Sequence, residues 1–144
     1  MRVRRAELGD LAQIVQIEEL CFPEETAFPP GMFAYLIRHS VALVACDDGK
    51  VVGFVMGYAS GSGGAVYTLD VHPLFRRRGV GSRLILALEE TLRGQGARAI
   101  RLEAALEKPE TLELYRKAGY RERELVRHYY GRGKHAVRMW KNLK

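Results

Sequence analysis

Leu69-Asp70-Val71-His72-Pro73-Leu74-Phe75-Arg76-Arg77-Arg78-Gly79-Val80-Gly81-Ser82 decides how this chain is read. Before it, Ala65 to Val71 is a strand pattern, stopped by His72-Pro73, because proline cannot donate to a ladder. After it, Gly79 to Arg93 carries Leu84, Leu88 and Leu92 on one helical face, and Gly94 and Gly96 close the helix. A strand, a basic glycine turn and a helix therefore follow one another. The first N–H groups of a helix have no partner within it, and its dipole is positive at that end. Glycines let the main chain approach a ligand closely, and three arginines add charge at the same place. A pyrophosphate would fit. A solvated basic turn is the plain alternative. A dinucleotide-binding turn is another, since Gly79-Val80-Gly81 supplies two glycines and Glu103 lies further on at a strand end. Leu84, however, stands where the third glycine belongs. No Gly-Lys-Ser/Thr follows, so this is not a Walker loop.

Outward from that turn, the rest of the chain alternates between periods. Val3 to Ala6 reads as a short strand. Asp10 with Gln13 predicts a capping box for a helix carrying Leu11, Ile14, Val15, Ile17, Glu18 and Cys21, which Phe22-Pro23 ends. Pro23 to Pro30 is irregular, and Gly31 to Arg38 is a second, shorter helix. Val41 to Cys46 and Val51 to Ala59 are strands around an Asp47-Asp48-Gly49-Lys50 hairpin turn. Ser60 to Gly64 reads as a flexible loop. Ala99 to Ala105 is a strand, and Pro109 to Ala118 a helix stopped by Gly119. Tyr120 to Tyr130 and Ala136 to Asn142 are two final strands around Gly131-Arg132-Gly133. The order β-α-α-β-β-β-α-β-α-β-β places a strand–helix–strand unit among antiparallel hairpins. It predicts an α/β (α+β) fold with a mixed sheet and helices on both faces.

Composition narrows the classes. With 144 residues, no repeat and no low-complexity tract, one domain over 1–144 is expected. Hydrophobic residues at 47% and charged residues at 28% argue against a disordered chain. No apolar run approaches a membrane span and no signal peptide opens the chain. Cys21 and Cys46 are too few for a disulfide framework, which predicts buried free thiols and a cytoplasmic setting. The four histidines show no metal-ligand spacing. Lys and Arg number 23 against 17 Asp and Glu, a formal charge of +6 that favours anionic partners. The arginines gather at one turn, and no recognition-helix or RNP-like motif is present, so nucleic acid is not the expected partner.

Arg76-x-x-Gly79-x-Gly81, set between a strand and a helix after Leu69-Asp70-Val71-His72-Pro73, resembles the acyl-coenzyme A turn of the GCN5-related N-acetyltransferases, the GNAT superfamily. Leu114-Tyr115-Arg116-Lys117-Ala118-Gly119-Tyr120 looks like that family's Leu-Tyr-x-x-x-Gly-Phe segment. The tail, Tyr129-Tyr130 followed by Ala136-x-x-Met139, looks like the protein N-terminal acetyltransferases of the RimI and Ard1 group. The resemblance covers nearly the whole chain and implies the GNAT fold. It departs from the pattern twice. Lys108 stands seven residues before Tyr115, where the family often has Asn, and His135 stands where the subgroup usually has Asp.

The resemblance implies acetyl-CoA as cosubstrate, with no metal and direct transfer to an amine. Its contacts would come from Leu69, Asp70 and Val71, along which the pantetheine arm would run like an added strand, and from Arg76, Arg77, Arg78, Gly79, Val80, Gly81 and Ser82. Lys108 and Tyr115 complete the expected coenzyme set. The donor to the thioester oxygen would be a backbone N–H near Val71. Glu103 is a carboxylate on a strand otherwise fit for burial. From the residues alone it is equally a strand-end glutamate paired with Arg101 or Arg127. Tyr115 on its own reads as a core residue. The resemblance makes Glu103 the base and Tyr115 the acid that protonates the leaving sulfur. For the acceptor it implies a groove lined by Tyr129 or Tyr130 on one side and by the loop from Phe22 to Phe28 on the other, where Glu24 and Glu25 either steer a cationic N-terminus or are simply solvated. The acceptor would be the α-amine of a protein N-terminus, a ribosomal protein among the candidates, and the enzyme a monomer or weak homodimer. A lysine side chain or a small amine is the alternative acceptor. A sensor or nucleic-acid-binding module without catalysis is the alternative class.

Overall fold

The computed structural model describes residues 1–22 and 27–143. Seven strands form one sheet: β1 (Arg2–Arg5), β2 (Val41–Asp47), β3 (Lys50–Ser60), β4 (Gly63–Val71), β5 (Ala99–Ala105), β6 (Arg121–Val126) and β7 (Ala136–Asn142). Their spatial order is β1-β2-β3-β4-β5-β7-β6. Only β4 and β5 run parallel, as a strand–helix–strand unit requires. Among the described residues the α-helices are α1 (Leu11–Cys21), α2 (Pro30–His39), α3 (Val80–Gly94) and α4 (Pro109–Lys117). This is the mixed sheet that the element order predicts.

The sheet is covered on both faces. Leu84, Ile85, Leu88 and Leu92 of α3, with Leu112 and Tyr115 of α4, are buried against Val55, Ile100, Leu102 and Met139. On the other face Ile14 and Ile17 of α1, with Phe33 and Leu36 of α2, pack on Val44, Phe54 and Met56. The Phe33 and Phe54 rings meet edge to face at 5.5 Å, the arrangement that aromatic quadrupoles favour.

Several local expectations are corrected. Asp10 does not form a capping box with Gln13. Its Oδ2 accepts from Glu7 N–H at 2.8 Å and pairs with Arg4 at 2.9 Å, while Gln13 Oε1 accepts from Val51 N–H. The expected loop over 60–64 is a tight hairpin, with β3 running to Ser60 and β4 starting at Gly63. The strand expected over 120–130 stops at Val126. The chain beyond it turns because His128 adopts φ 58°. Two imidazoles hold that turn: His128 N–H donates to His135 Nδ1 and Gly133 N–H to His128 Nδ1, each at 2.9 Å. Side-chain acceptors have taken over the ladder's donors there. Tyr129 and Tyr130 therefore lie in a turn, not on a strand. Cys21 and Cys46 are free thiols, partly rather than fully buried.

Candidate active site

β4 and β5 pair only at Gly63–Ala99, Gly64–Ile100 and Ala65–Arg101, and then diverge. Beyond those three pairs each strand presents an unpaired edge to the other across a gap. A cavity of about 930 Å³ opens there. Leu69, Asp70 and Val71 line one side, and Leu102, Glu103, Ala104 and Ala105 the other. Gly79, Val80, Gly81 and Ser82, the start of α3, close one end. Gly79 sits at φ 79° before the helix, a conformation that costs a residue with a Cβ. A Cβ at Gly81 would come within 2.6 Å of Leu114 Cδ1, so the absent side chain is what lets α3 meet α4 beside the cavity.

The three arginines diverge. Arg76 turns inward, its Nε 3.3 Å from Val71 O and its Nη2 3.3 Å from Cys21 Sγ. Arg77, at φ 65°, reaches Glu110 on α4 at 3.7 Å. The Arg78 guanidinium lies over the Phe75 ring at 5.2 Å. Arg76 and Arg77 line the cavity.

Glu103 lies on β5 with its side chain only 8% exposed. Arg138 Nε donates to its Oε2 at 2.7 Å, and Arg101 Nε lies 3.2 Å from the same oxygen. Arg138, absent from the sequence expectation, takes the place given to Arg127. Its register explains this, since Arg138 stands opposite Glu103 on β7. Tyr129 donates its hydroxyl to Glu103 Oε1 at 3.3 Å, and Tyr130 donates to Glu103 O at 3.1 Å. The two rings meet edge to face at 4.9 Å. Burial, then the charge and hydrogen bond of Glu103, push the Tyr129 hydroxyl above its ordinary value. Burial, then Tyr129, does the same for Tyr130.

Tyr115 is buried between α4 and the cavity. Burial, reinforced by Tyr130 and Asp70, raises its pKa far above the usual phenol value. The hydroxyl keeps its proton and stays a donor. Lys108 turns to the end of α1, where Nζ donates to Cys21 O at 3.2 Å and sits 3.8 Å from the Phe22 ring centre. Phe22, Phe28 and Tyr130 line the cavity. Glu24 and Glu25 lie outside the described residues. Glu18 and Cys21, neither among the sequence candidates, also line it. Glu18 had one legible signal: a carboxylate on the apolar face of α1, four residues after Ile14.

A divergent strand pair with a helix N-terminus at one end suits a long ligand with peptide-like amides and an anionic end. The unpaired edge of β4 offers main-chain partners along its length, and α3 offers free N–H groups to phosphate. Acetyl-CoA fits that description. Among the described residues no group of His, Cys, Asp and Glu is arranged to hold a metal. No described helix is long and apolar enough to cross a membrane.

The sequence model of the Acetyltransferase (GNAT) family matches residues 11–120. The chain belongs to this family, and it is an acetyl-CoA-dependent N-acetyltransferase. An N-alpha-acetyltransferase of Sulfurisphaera tokodaii is 31% identical over 96% of this chain and 90% of its own length. The crystal structure of Ard1 from Thermoplasma volcanium superposes with a TM-score of 0.91 at 26% identity, covering 99% of this chain and 97% of that one. The ribosomal-protein-S18-alanine N-acetyltransferase of Escherichia coli gives 0.86 at 21%, over 99% and 94%. An aminoglycoside 6'-N-acetyltransferase complexed with coenzyme A gives 0.85 at 20%, over 99% and 97%. The fold is thus shared across acceptor classes.

Proposed function

We propose that this chain, as a single N-acetyltransferase domain over 1–144, moves the acetyl group of acetyl-CoA directly to the α-amine of a protein or peptide N-terminus. The observation that carries this reading is the convergence of Tyr129 and Tyr130 on Glu103, with Glu103 and Tyr130 lining the cavity that Phe22 and Phe28 also line. The 31% identical N-alpha-acetyltransferase supports it. A ribosomal protein is one candidate acceptor. The free thiols suit a cytoplasmic setting, as a monomer or weak homodimer.

Bound acetyl-CoA supplies the activated thioester. Gly79 to Ser82, with Arg77 and Arg78, bind its phosphates. Leu69, Asp70 and Val71 orient its arm through their main chain, and the Val71 N–H donates to the thioester oxygen. Glu103, held by Arg138 and Arg101, takes a proton from the incoming ammonium, directly or through a water. Tyr115 holds its proton at Oη for the departing sulfur. Tyr129, Tyr130, Phe22 and Phe28 wall the acceptor groove.

Protonation favours an α-amine. Its pKa of roughly 7.7–8.0, against roughly 10.4 for lysine, makes its neutral fraction near pH 7 larger by a factor on the order of 10². The test compares peptides with free N-termini against the same peptides blocked at the α-amine and carrying lysine. Faster acetylation of the free set is expected. Equal or faster acetylation of the blocked set would move the enzyme to the lysine or small-amine class.

A further inference from the structure

Two acidic side chains at the cavity have no part in that scheme. Glu18 of α1 is 2% exposed and Asp70 of β4 is 3% exposed. Half of each carboxyl group is accounted for. Phe28 N–H donates to Glu18 Oε2 at 2.7 Å, and the Thr68 hydroxyl donates to Asp70 Oδ1 at 3.1 Å. The other halves, Glu18 Oε1 and Asp70 Oδ2, are buried and receive no donor from the described residues. Both residues line the same cavity, and the Glu18 carboxyl lies close enough to Asp70 to act on it through hydrogen bonding and charge.

Two ionised carboxylates are both acceptors and cannot satisfy one another. Burying both charges side by side costs several kcal/mol. One proton held between Oε1 and Oδ2 removes both defects, since it supplies the missing donor and leaves a single negative charge. Burial, then the bond to Glu18 and its charge, drive Asp70 well above the usual carboxylate range. The other groups facing Asp70 are Thr68 and Lys108, which act the opposite way, with Cys21 and Tyr115 within its field. Lys108 is engaged with Cys21 O and Phe22, so it does not take the proton's place between the two acids.

The position of the pair gives the proton a use. Glu18 lies one turn before the end of α1, and that end carries Cys21, whose Sγ donates to Val71 O at 3.4 Å. The same Glu18 holds the main chain of Phe28. Asp70 immediately precedes Val71. We propose that Glu18 and Asp70 share one proton and act as a positioning pair, holding Cys21, Phe22 and Phe28 against the end of β4 where the acetyl group is handed over. The positioning role rests on the acceptor groove proposed above, but the shared proton does not. When the proton leaves at alkaline pH, two buried carboxylates repel and the wall lifts from β4. The acceptor KM then rises.

Two measurements test this. Infrared difference spectra of the wild-type enzyme at neutral pH, with and without 13C-labelled aspartate and glutamate, are expected to show a protonated carboxyl band. Glu18→Gln and Asp70→Asn should each abolish it. No such band in the wild type would overturn the shared proton, whatever the acceptor proves to be. The second measurement is the pH profile of acceptor KM. Glu18→Gln places an amide donor against Asp70 that never titrates, so the alkaline rise in acceptor KM should flatten. Glu18→Ala should raise acceptor KM roughly tenfold or more at neutral pH, with a smaller change in kcat. Wild-type and Glu18→Gln profiles that rise together would overturn the positioning role while leaving the proton in place. Failure of the α-amine reading looks different: the band persists, and free-N-terminus peptides are not turned over. The same KM profile is then read on whichever amine is.

Discussion

Arg76, Arg77 and Arg78 are adjacent in the sequence and take three different tasks in the fold. Arg76 is spent on Val71 O and Cys21, so Arg76→Ala should disturb the end of β4, raising acceptor KM more than it weakens coenzyme binding. Arg78, free of any carboxylate among the described residues, is available to phosphate. Arg78→Ala should weaken acetyl-CoA binding by about 1.5–3 kcal/mol, the range for a charged hydrogen bond, as calorimetry would show. Glu103→Gln should lower kcat by roughly 10²–10⁴ with coenzyme affinity retained. A variant that keeps full turnover across pH would leave Glu103 as no more than the anchor for Arg138. The strand, turn and helix around these arginines were legible because their signals are local: a proline stop, two glycines, leucines at helical spacing. The direction of each guanidinium was not. Arg76 is set by Cys21, 55 residues away, and no local pattern carries that information.

At the scale of elements, α3, β7 and the approach to β6 are joined by one buried network. Glu89 of α3 accepts from Tyr120 Oη at 2.8 Å and from Lys141 Nζ at 2.9 Å. Both Glu89 and Tyr120 are 2% exposed. Lys141→Met leaves the Glu89 carboxylate with one neutral donor. Breaking a buried pair costs roughly 3–5 kcal/mol. Because the Lys141 side chain is 22% exposed, about 2–4 kcal/mol is expected in urea denaturation. The contact between α3 and α4 gives a contrasting case. At Gly81→Ala the new methyl would overlap Leu114 Cδ1, the far end of a flexible side chain, and meet Val71 Cγ2 at an ordinary 3.6 Å, so stability should change by about 1 kcal/mol or less. Leu114 lines the cavity, and the KM for acetyl-CoA should rise. Element order and most boundaries were legible from hydrophobic period. The end of β6 was not, because Tyr129 and Tyr130 have strand propensity while the two histidines that turn the chain give no periodic signal.

At the scale of the whole molecule, the buried Asp70 sets a slope of stability against pH. Its folded pKa lies above its unfolded value of about 3.9. Over that window the native state holds more protons than the unfolded chain. The stabilisation is therefore complete below about pH 4 and is lost as pH rises toward the folded value, by up to about 1.4 kcal/mol per unit. Asp10 has the opposite sign. Its bonds to Arg4 lower its pKa, so its contribution is present above about pH 4 and fails in acid. Urea titrations from about pH 4 upward should show wild-type stability falling relative to Asp70→Asn. Parallel curves would rule this out. The three residue pairs joining β4 to β5 have a mechanical consequence as well. Among the described residues they are the ladder pairs that join a four-stranded part of the sheet to a three-stranded part, so past them the facing edges of β4 and β5 are held by the packing of α3 and α4 and not by main-chain hydrogen bonds. Amides along the far edge of β4 should exchange with deuterium quickly in the free enzyme. A coenzyme bound as proposed would bridge the two facing edges. Saturating ligand, at a hundredfold excess over Kd, should add about 2.7 kcal/mol to unfolding and slow exchange on both edges at once.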